Sequence, residues 1–156
     1  MNENELAGLL ESLKRMGSDD LSVEVKESAM TLSRDVWETV SAFANTAGGI
    51  IVLGVSERAG FVPVANFETE KVLNQFVAGM GDAGGRGKLA NPPKYTIERV
   101  ELQGTVVLVI TIEELDPSSK PCYVIERGAQ GGSYKRIDDK DVPLSSTEVL
   151  ALASYG

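Results

Sequence analysis

A short apolar run constrains the fold of this chain more than any other feature. Residues 50–55, IIVLGV, follow directly on Gly48 and Gly49. The run is shorter than a typical helix, so it predicts a buried central strand. An apolar helical pattern over 33–46 ends immediately before the two glycines, with Ser33 as its expected N-cap. The glycines are therefore expected to end the helix in a left-handed turn and to let the strand begin at once.

Helical and strand patterns interleave irregularly along the rest of the chain. Apolar residues recur at helical spacing over 2–16 and 67–80, and Ser145 with Glu148 has the spacing of a capping box. Period-two alternation over 21–26 predicts a half-buried strand, with Glu24 and Lys26 on the face opposite the core. Further strands are expected as two pairs, 95–102 with 105–112 and 122–125 with 133–137. The sequence thus predicts an α/β (α+β) single domain with a mixed β-sheet flanked by helices.

The length of 156 residues is that of one ordinary domain. We expect all of residues 1–156 to form it, with 1–20 as an N-terminal helical extension and 21–150 as the core. No apolar run approaches the about 20 residues that span a bilayer, and the chain begins without the pattern of a signal peptide. We therefore expect a cytoplasmic protein without membrane contact.

The residue types present limit the chemistry of the chain. It has no histidine and a single cysteine, Cys122, so nucleophile–histidine pairs, histidine-bound metals and multi-thiolate zinc sites are excluded. Acid–base or metal chemistry would have to use carboxylates, lysine, tyrosine or backbone groups, and carboxylates favour Mg²⁺ or Mn²⁺. The net charge of −8 argues against broad nonspecific adhesion to nucleic acid but leaves room for a local basic patch.

A glycine-rich stretch, GDAGGRGK over 81–88, invites comparison with a phosphate-binding loop. Asp82 stands where such a loop needs its first glycine, and Leu89 stands where Ser or Thr would bind Mg²⁺. The stretch is therefore interpreted as a flexible connection. Contact of Arg86 and Lys88 with a phosphate is the alternative.

A second glycine-rich stretch, RGAQGGSYKR over 127–136, carries three cations and a tyrosine. Arg127, Lys135 and Arg136 are candidates for phosphate contact, and Tyr134 is a candidate for stacking on a base. A hairpin with a solvated, charged edge is the equally weighted alternative.

Three acidic positions form the remaining candidate site. If the strands of Glu24 and Glu57 are neighbours, these carboxylates and Asp19 could converge at one sheet edge and bind a divalent cation. Dispersed surface acids are the alternative, which the sequence favours. Lys26 would then contact phosphate or simply pair with Glu24.

Four segments taken together resemble a known family. VEVKES (23–28), TVSAFANTAGGIIVLGVSE (39–57), KPCYVIERG (120–128) and GSYKRIDDKDVPLSSTEV (132–149) are similar, in this order, to the Schlafen-type AlbA-like domain, a family described as DNA-binding. The most specific element is Ala-Phe-Ala-Asn-Thr-x-Gly-Gly followed by a Gly-Val strand. The resemblance implies a nucleic-acid-binding domain of a transcriptional regulator. It also implies that the acids matching the family's RNA-cleaving site are Asp19, Glu24 and Glu57.

Three functional hypotheses follow. The first is a module that binds DNA or RNA through Lys26, Arg127, Lys135 and Arg136 and needs no cofactor. The second is an endoribonuclease that uses Mg²⁺ or Mn²⁺ at Asp19, Glu24 and Glu57. The third is an oligomerisation or interaction domain without a ligand. A homodimer is a further hypothesis that rests on the resemblance, because Schlafen nucleases pair two such domains.

Overall fold

The computed structural model describes residues 1–16 and 22–155. Within them, the strands β1 to β10 are Val23–Lys26, Gly49–Leu53, Val55–Ser56, Val62–Pro63, Leu89–Ala90, Tyr95–Leu102, Thr105–Ile112, Tyr123–Val124, Tyr134–Ile137 and Lys140–Pro143. The helices α1 to α5 are Glu3–Met16, Val36–Asn45, Thr69–Gly79, Ala129–Gly132 and Ser146–Ala153. The fourth helix is a single short turn with non-helical residues inside it.

A mixed sheet of four strands lies at the centre, in the order β1-β2-β7-β6. Strand β1 runs parallel to β2, and the other neighbours are antiparallel. The β6–β7 hairpin covers the two predicted ranges, and its loop residues Gln103 and Gly104 have φ of 49° and 82°. Positive φ at both positions is what a two-residue hairpin turn requires. The predicted single α+β domain with a mixed sheet is confirmed in fold.

Helices cover both faces of this sheet. Helix α1 buries Leu6, Leu10 and Leu13 against one face, together with Val23, Val25 and the valines of β6 and β7. Helices α2 and α3 pack on the opposite face through Phe43, Phe76 and other apolar residues. Since side chains alternate along a strand, Glu24 and Lys26 project toward the α2 face.

The junction between α2 and β2 uses its two glycines differently. Gly48 has a φ of 71°, and a Cβ there would lie 2.7 Å from the carbonyl oxygen of Ile112. A Cβ on Gly49 would lie 2.8 Å from the ring of Phe43. The left-handed turn is therefore confirmed at Gly48. Position 49 instead requires glycine because the ring of Phe43 on α2 leaves no room for a side chain there. At its other end α2 begins at Val36 after Asp35, and the Ser33 hydroxyl accepts a hydrogen bond from the Ser28 hydroxyl instead of capping the helix.

The predicted pairing of 122–125 with 133–137 is wrong. Strand β8 pairs with β5, β9 pairs with β10, and only a single bridge joins Tyr123 to Ser133. Strand β9 instead runs along α2, and the Asn45 side chain of that helix donates a hydrogen bond to the carbonyl of Tyr134 on the strand. The last helix begins as predicted, with a capping box between Ser145 and Glu148.

Candidate nucleic-acid interface

Four cationic side chains from three distant segments line a cleft of about 620 Å³. Arg34 comes from the turn just before α2, Arg86 and Lys88 from the glycine-rich loop, and Arg127 from the turn after β8. We call this surface the basic cleft. Its lining is completed by Trp37, Glu38, Gly87, Val124, Ile125 and Glu126.

The pairing of β5 with β8 positions two walls of the basic cleft. Leu89 is the register partner of Val124, and the Ile125 N–H donates to the Lys88 carbonyl at 3.0 Å. The loop that ends at Lys88 is therefore fastened beside the turn that carries Arg127. The Lys88 N–H also donates to the carbonyl of Gly79, at the end of α3, at 2.7 Å. The loop that the sequence interprets as a flexible connection is therefore anchored at its Lys88 end.

The charges in the basic cleft are unbalanced. Four cations face two acids, Glu38 and Glu126. Among residues 1–16 and 22–155, the side chains of Arg34, Arg86 and Lys88 have no ion-pair partner, and all three are exposed. Unpaired cations gathered from separate segments give a local positive potential on a protein of net negative charge.

Arg127 differs from its neighbours because its guanidinium is held in place. It lies 3.4 Å from the Glu38 carboxylate, donates a short hydrogen bond to the Tyr134 hydroxyl, and sits 5.9 Å from that ring's centroid. The Tyr134 hydroxyl and the Glu38 carboxylate hold the pKa of Arg127 above its usual value. Half of the side chain remains exposed, so the structure brings this predicted phosphate contact to an accessible surface.

The other predicted contacts lie outside the basic cleft. Lys135 pairs with Glu148 at 2.7 Å, and Lys26 pairs with Asp35 at 3.1 Å. Tyr134 is 5% exposed and packs in the core beside α2, so its ring is not open to a base. Its hydroxyl orients Arg127 instead.

Arg136 is buried, which contrasts with its predicted place at a solvated or phosphate-bound edge. Its side chain is 1% exposed, and its guanidinium donates to Glu24 at 2.7 Å and to Asp141 at 2.8 Å. It also lies over the Phe43 ring, 5.1 Å from the centroid. Burial lowers the pKa of Arg136, but its contacts with Glu24 and Asp141 outweigh that effect and leave the pKa raised. A guanidinium in this position ties β9 to β1.

The three acids of the predicted metal site are not seen together. Asp19 lies outside the described residues. Glu24 projects toward α2 and Arg136, whereas Glu57 lines a hollow with Val25, whose side chain belongs to the opposite face of β1. Within 1–16 and 22–155 no group of three metal-ligating side chains occurs. The Mg²⁺ or Mn²⁺ site stays a prediction, but the carboxylate of Glu24 is already neutralised by a buried cation, which does not suit a metal ligand.

Sequence reasoning did not connect the residues of the basic cleft. The sequence offers Arg86 and Lys88 as an alternative phosphate contact within a flexible connection, and it places Arg34 and Trp37 within the helical pattern over 33–46. The missing observation is the β5–β8 pairing, which joins residues far apart in the chain. Strands β5 and β8 have only two residues each, so no local sequence pattern predicts that they pair.

The chain matches a known protein family over most of its length. A family model described as Schlafen, AlbA_2 matches residues 19–145. The chain belongs to the Schlafen AlbA_2 family. Its predicted resemblance is confirmed, and the match spans the sheet, α2, α3 and the segments that line the basic cleft.

Solved structures support the same AlbA_2 fold. The chain is similar to the N-terminal domain of an ATP-dependent DNA helicase RecG-related protein from Nitrosomonas europaea, with 28% identity and a TM-score of 0.62. That similarity covers 86% of this chain and 89% of the other. The DIP2311 protein from Corynebacterium diphtheriae has 16% identity and a TM-score of 0.51 over 90% of this chain and 26% of its own, which shows the fold alone.

Two further findings complete the comparison. No curated protein shows a significant match to this AlbA_2 chain. In the part of the chain that the structure describes, every helix is too short or too polar to cross a membrane.

Proposed function

We propose that this AlbA_2 domain binds nucleic acid and that the basic cleft contacts its phosphates. The single observation that carries the proposal is the convergence of Arg34, Arg86, Lys88 and Arg127 in one concave surface. Phosphate contacts from arginine and lysine provide most of the affinity in nucleic-acid binding. A held guanidinium such as that of Arg127 loses less freedom on binding than a mobile one.

Family membership supports this proposal. The N-terminal domain from Nitrosomonas europaea that this chain resembles comes from a protein described as DNA helicase RecG-related. The proposal shifts the contacts away from Arg136 and Tyr134, which are buried, and toward Arg34, Arg86 and Lys88. Lys26 and Lys135 are left as secondary contacts, since each already pairs with an acid.

The test measures affinity for labelled DNA and RNA by fluorescence anisotropy across a range of salt concentrations. Arg86→Ala and Lys88→Ala should each weaken binding and reduce the slope of log K against log salt by about 1. Lys14→Ala is the matched control, because it removes the same charge from α1 on the opposite face of the sheet. If the unchanged protein binds neither DNA nor RNA at low salt, the proposal is wrong.

We further propose that the domain works within a transcriptional regulator in the cytoplasm and that two copies join their basic clefts. The family resemblance supports this proposal, and one cleft presents few phosphate contacts by itself. Sedimentation of the purified protein with and without DNA tests the homodimer. A monomer under both conditions would contradict it.

A further inference from the structure

The basic cleft has a feature that phosphate binding alone does not use, which is the indole of Trp37 in its wall. Trp37 stacks on Phe76 with ring centroids 5.4 Å apart and an interplanar angle of 24°. Phe76 in turn meets Tyr95 edge to face at 5.4 Å. A row of aromatic rings therefore packs against the indole, which stays partly exposed.

Gly79 of α3 fits against the same indole. A Cβ at this position would lie 2.0 Å from Trp37, so only glycine leaves room for the ring as it stands. The residue thus holds Trp37 in one orientation without any polar contact. A rigid, partly exposed indole beside cations is the arrangement that lets an unpaired base stack on a protein.

The cations that line the basic cleft together with this indole come from separate segments. Arg34 precedes Trp37 by about one turn of chain, and Arg86 and Lys88 come from the loop that lines the same cleft. A nucleotide whose base lies on Trp37 would have cationic groups near its phosphates on more than one side. Such a combination of cations and an aromatic ring suits a single strand, in which the phosphates and the faces of the bases are both accessible.

The acids of the basic cleft also favour a base over a continuous row of phosphates. Glu38 and Glu126 would repel a phosphate backbone that filled the cleft. Carboxylates instead accept hydrogen bonds from the exocyclic amino groups of bases, as they do with cytosine. In a duplex those base edges lie inside a groove that a concave surface does not enter.

The size of the basic cleft suits one nucleotide. Its volume of about 620 Å³ lies within the about 300–1,000 Å³ of sites that enclose small ligands. We infer that the basic cleft accepts an unpaired nucleotide of a single strand, with its base stacked on Trp37 and its phosphates on Arg34, Arg86 and Lys88. This inference rests on the proposed function and specifies its substrate as single-stranded rather than duplex nucleic acid.

The unchanged protein provides the most direct test, because Trp37 is its single tryptophan. Titration with a short single-stranded oligonucleotide should quench Trp37 fluorescence to a plateau. The same strand should bind at least about tenfold more tightly than its duplex, since stacking adds to phosphate contact. An abasic strand with the same phosphates should bind more weakly than the normal strand and leave the fluorescence unchanged.

Anisotropy with labelled strands extends the test to variants. Trp37→Leu should lower the affinity for single strands by a larger factor than the affinity for duplex, and Trp37→Phe should keep part of the preference for single strands. If single, duplex and abasic strands bind equally and the fluorescence of the unchanged protein stays constant, the inference is wrong and the proposed function stands. If the abasic strand quenches as strongly as the normal strand, stacking is also excluded. If no nucleic acid binds, the proposed function fails, and the inference fails with it.

Discussion

Asn45 and Cys122 are joined by a pair of hydrogen bonds across 77 residues of chain. The Cys122 N–H donates to Asn45 Oδ1 at 2.8 Å, and Asn45 Nδ2 donates to the Cys122 carbonyl at 2.9 Å. Nδ2 also donates to the Tyr134 carbonyl at 2.9 Å. One buried amide therefore fastens the segments before β8 and at β9 to helix α2.

Ser41, one helical turn earlier, reinforces this connection. Its hydroxyl donates to the Cys122 carbonyl at 2.7 Å and accepts from the Tyr134 N–H at 3.0 Å. Between the two fastened segments lies the turn that carries Arg127 into the basic cleft. The Asn in the Ala-Phe-Ala-Asn-Thr motif thus has a structural role here, in which it helps to determine where Arg127 lies.

Asn45→Ala should destabilise the fold strongly. It leaves a backbone N–H and parts of two carbonyl groups without their buried partner, and such groups cost about 1–3 kcal/mol each. We expect a loss on the order of 3 kcal/mol, measured by urea unfolding. Asn74→Ala, on the exposed face of α3, is the control and should change little. Equal stability of the two variants would show that the Asn45 contacts contribute nothing net.

Much of the fold follows from local pattern. The β6–β7 strands, α1, α3 and the capped α5 lie close to their predicted ranges because amphipathic period and turn residues determine such elements. The pairing around β8 and β9 does not follow from it. There the backbone groups of Cys122 and Tyr134 bond to side chains of a distant helix, which no strand pattern reveals.

The candidate site too could be predicted from the sequence only in part. Cations near a glycine-rich turn identified Arg127, but its companions come from segments that only the folded chain brings together. The burial of Arg136 runs against the usual exposure of arginine. A signal for it does exist, because Arg136 stands two residues after Tyr134 on one strand and so shares its inward face.

Arg136→Met should be more damaging to stability than to binding. Loss of the buried guanidinium leaves Glu24 and Asp141 with uncompensated charge, and breaking such pairs costs about 3–5 kcal/mol. Chemical unfolding measures this loss. Lys135→Met, which removes the neighbouring, only partly buried pair with Glu148, should cost much less. A stable Arg136→Met protein with reduced affinity for nucleic acid would instead restore Arg136 as a direct contact.

Glu38→Gln should strengthen binding to duplex nucleic acid, whose base amino groups do not reach a carboxylate in the basic cleft. The substitution removes a negative charge from the basic cleft and releases Arg127 from its carboxylate partner. A change of about 1 kcal/mol, typical of an exposed ion pair, corresponds to about a fivefold gain in affinity at low salt. Anisotropy titration measures it, with Glu101→Gln on the edge strand β6 as the charge-matched control. A loss of affinity would indicate that Glu38 itself bonds to the ligand.

Glu148 should make stability depend on acidity in a defined window. The hydrogen bond from Lys135, and then that from the Ser145 N–H, lower the pKa of Glu148 from 4.5 to about 2. Because the folded pKa is lowered, the ionised carboxylate stabilises the fold above the unfolded pKa, and this contribution disappears as the pH falls toward the folded pKa. The Glu148 contribution should therefore be complete at neutral pH and fade between about pH 4.5 and pH 2.

Glu148→Gln isolates this effect, because glutamine still accepts from the Ser145 N–H in the capping box but carries no charge. Urea midpoints of the two proteins should differ at neutral pH and converge as the pH falls through the window. Other carboxylates, such as Glu70 beside Arg99, titrate in both proteins, so only the difference between the midpoints reports on Glu148. A difference that stays constant down to pH 2 would mean that the charge on Glu148 does not contribute to the stability of the fold.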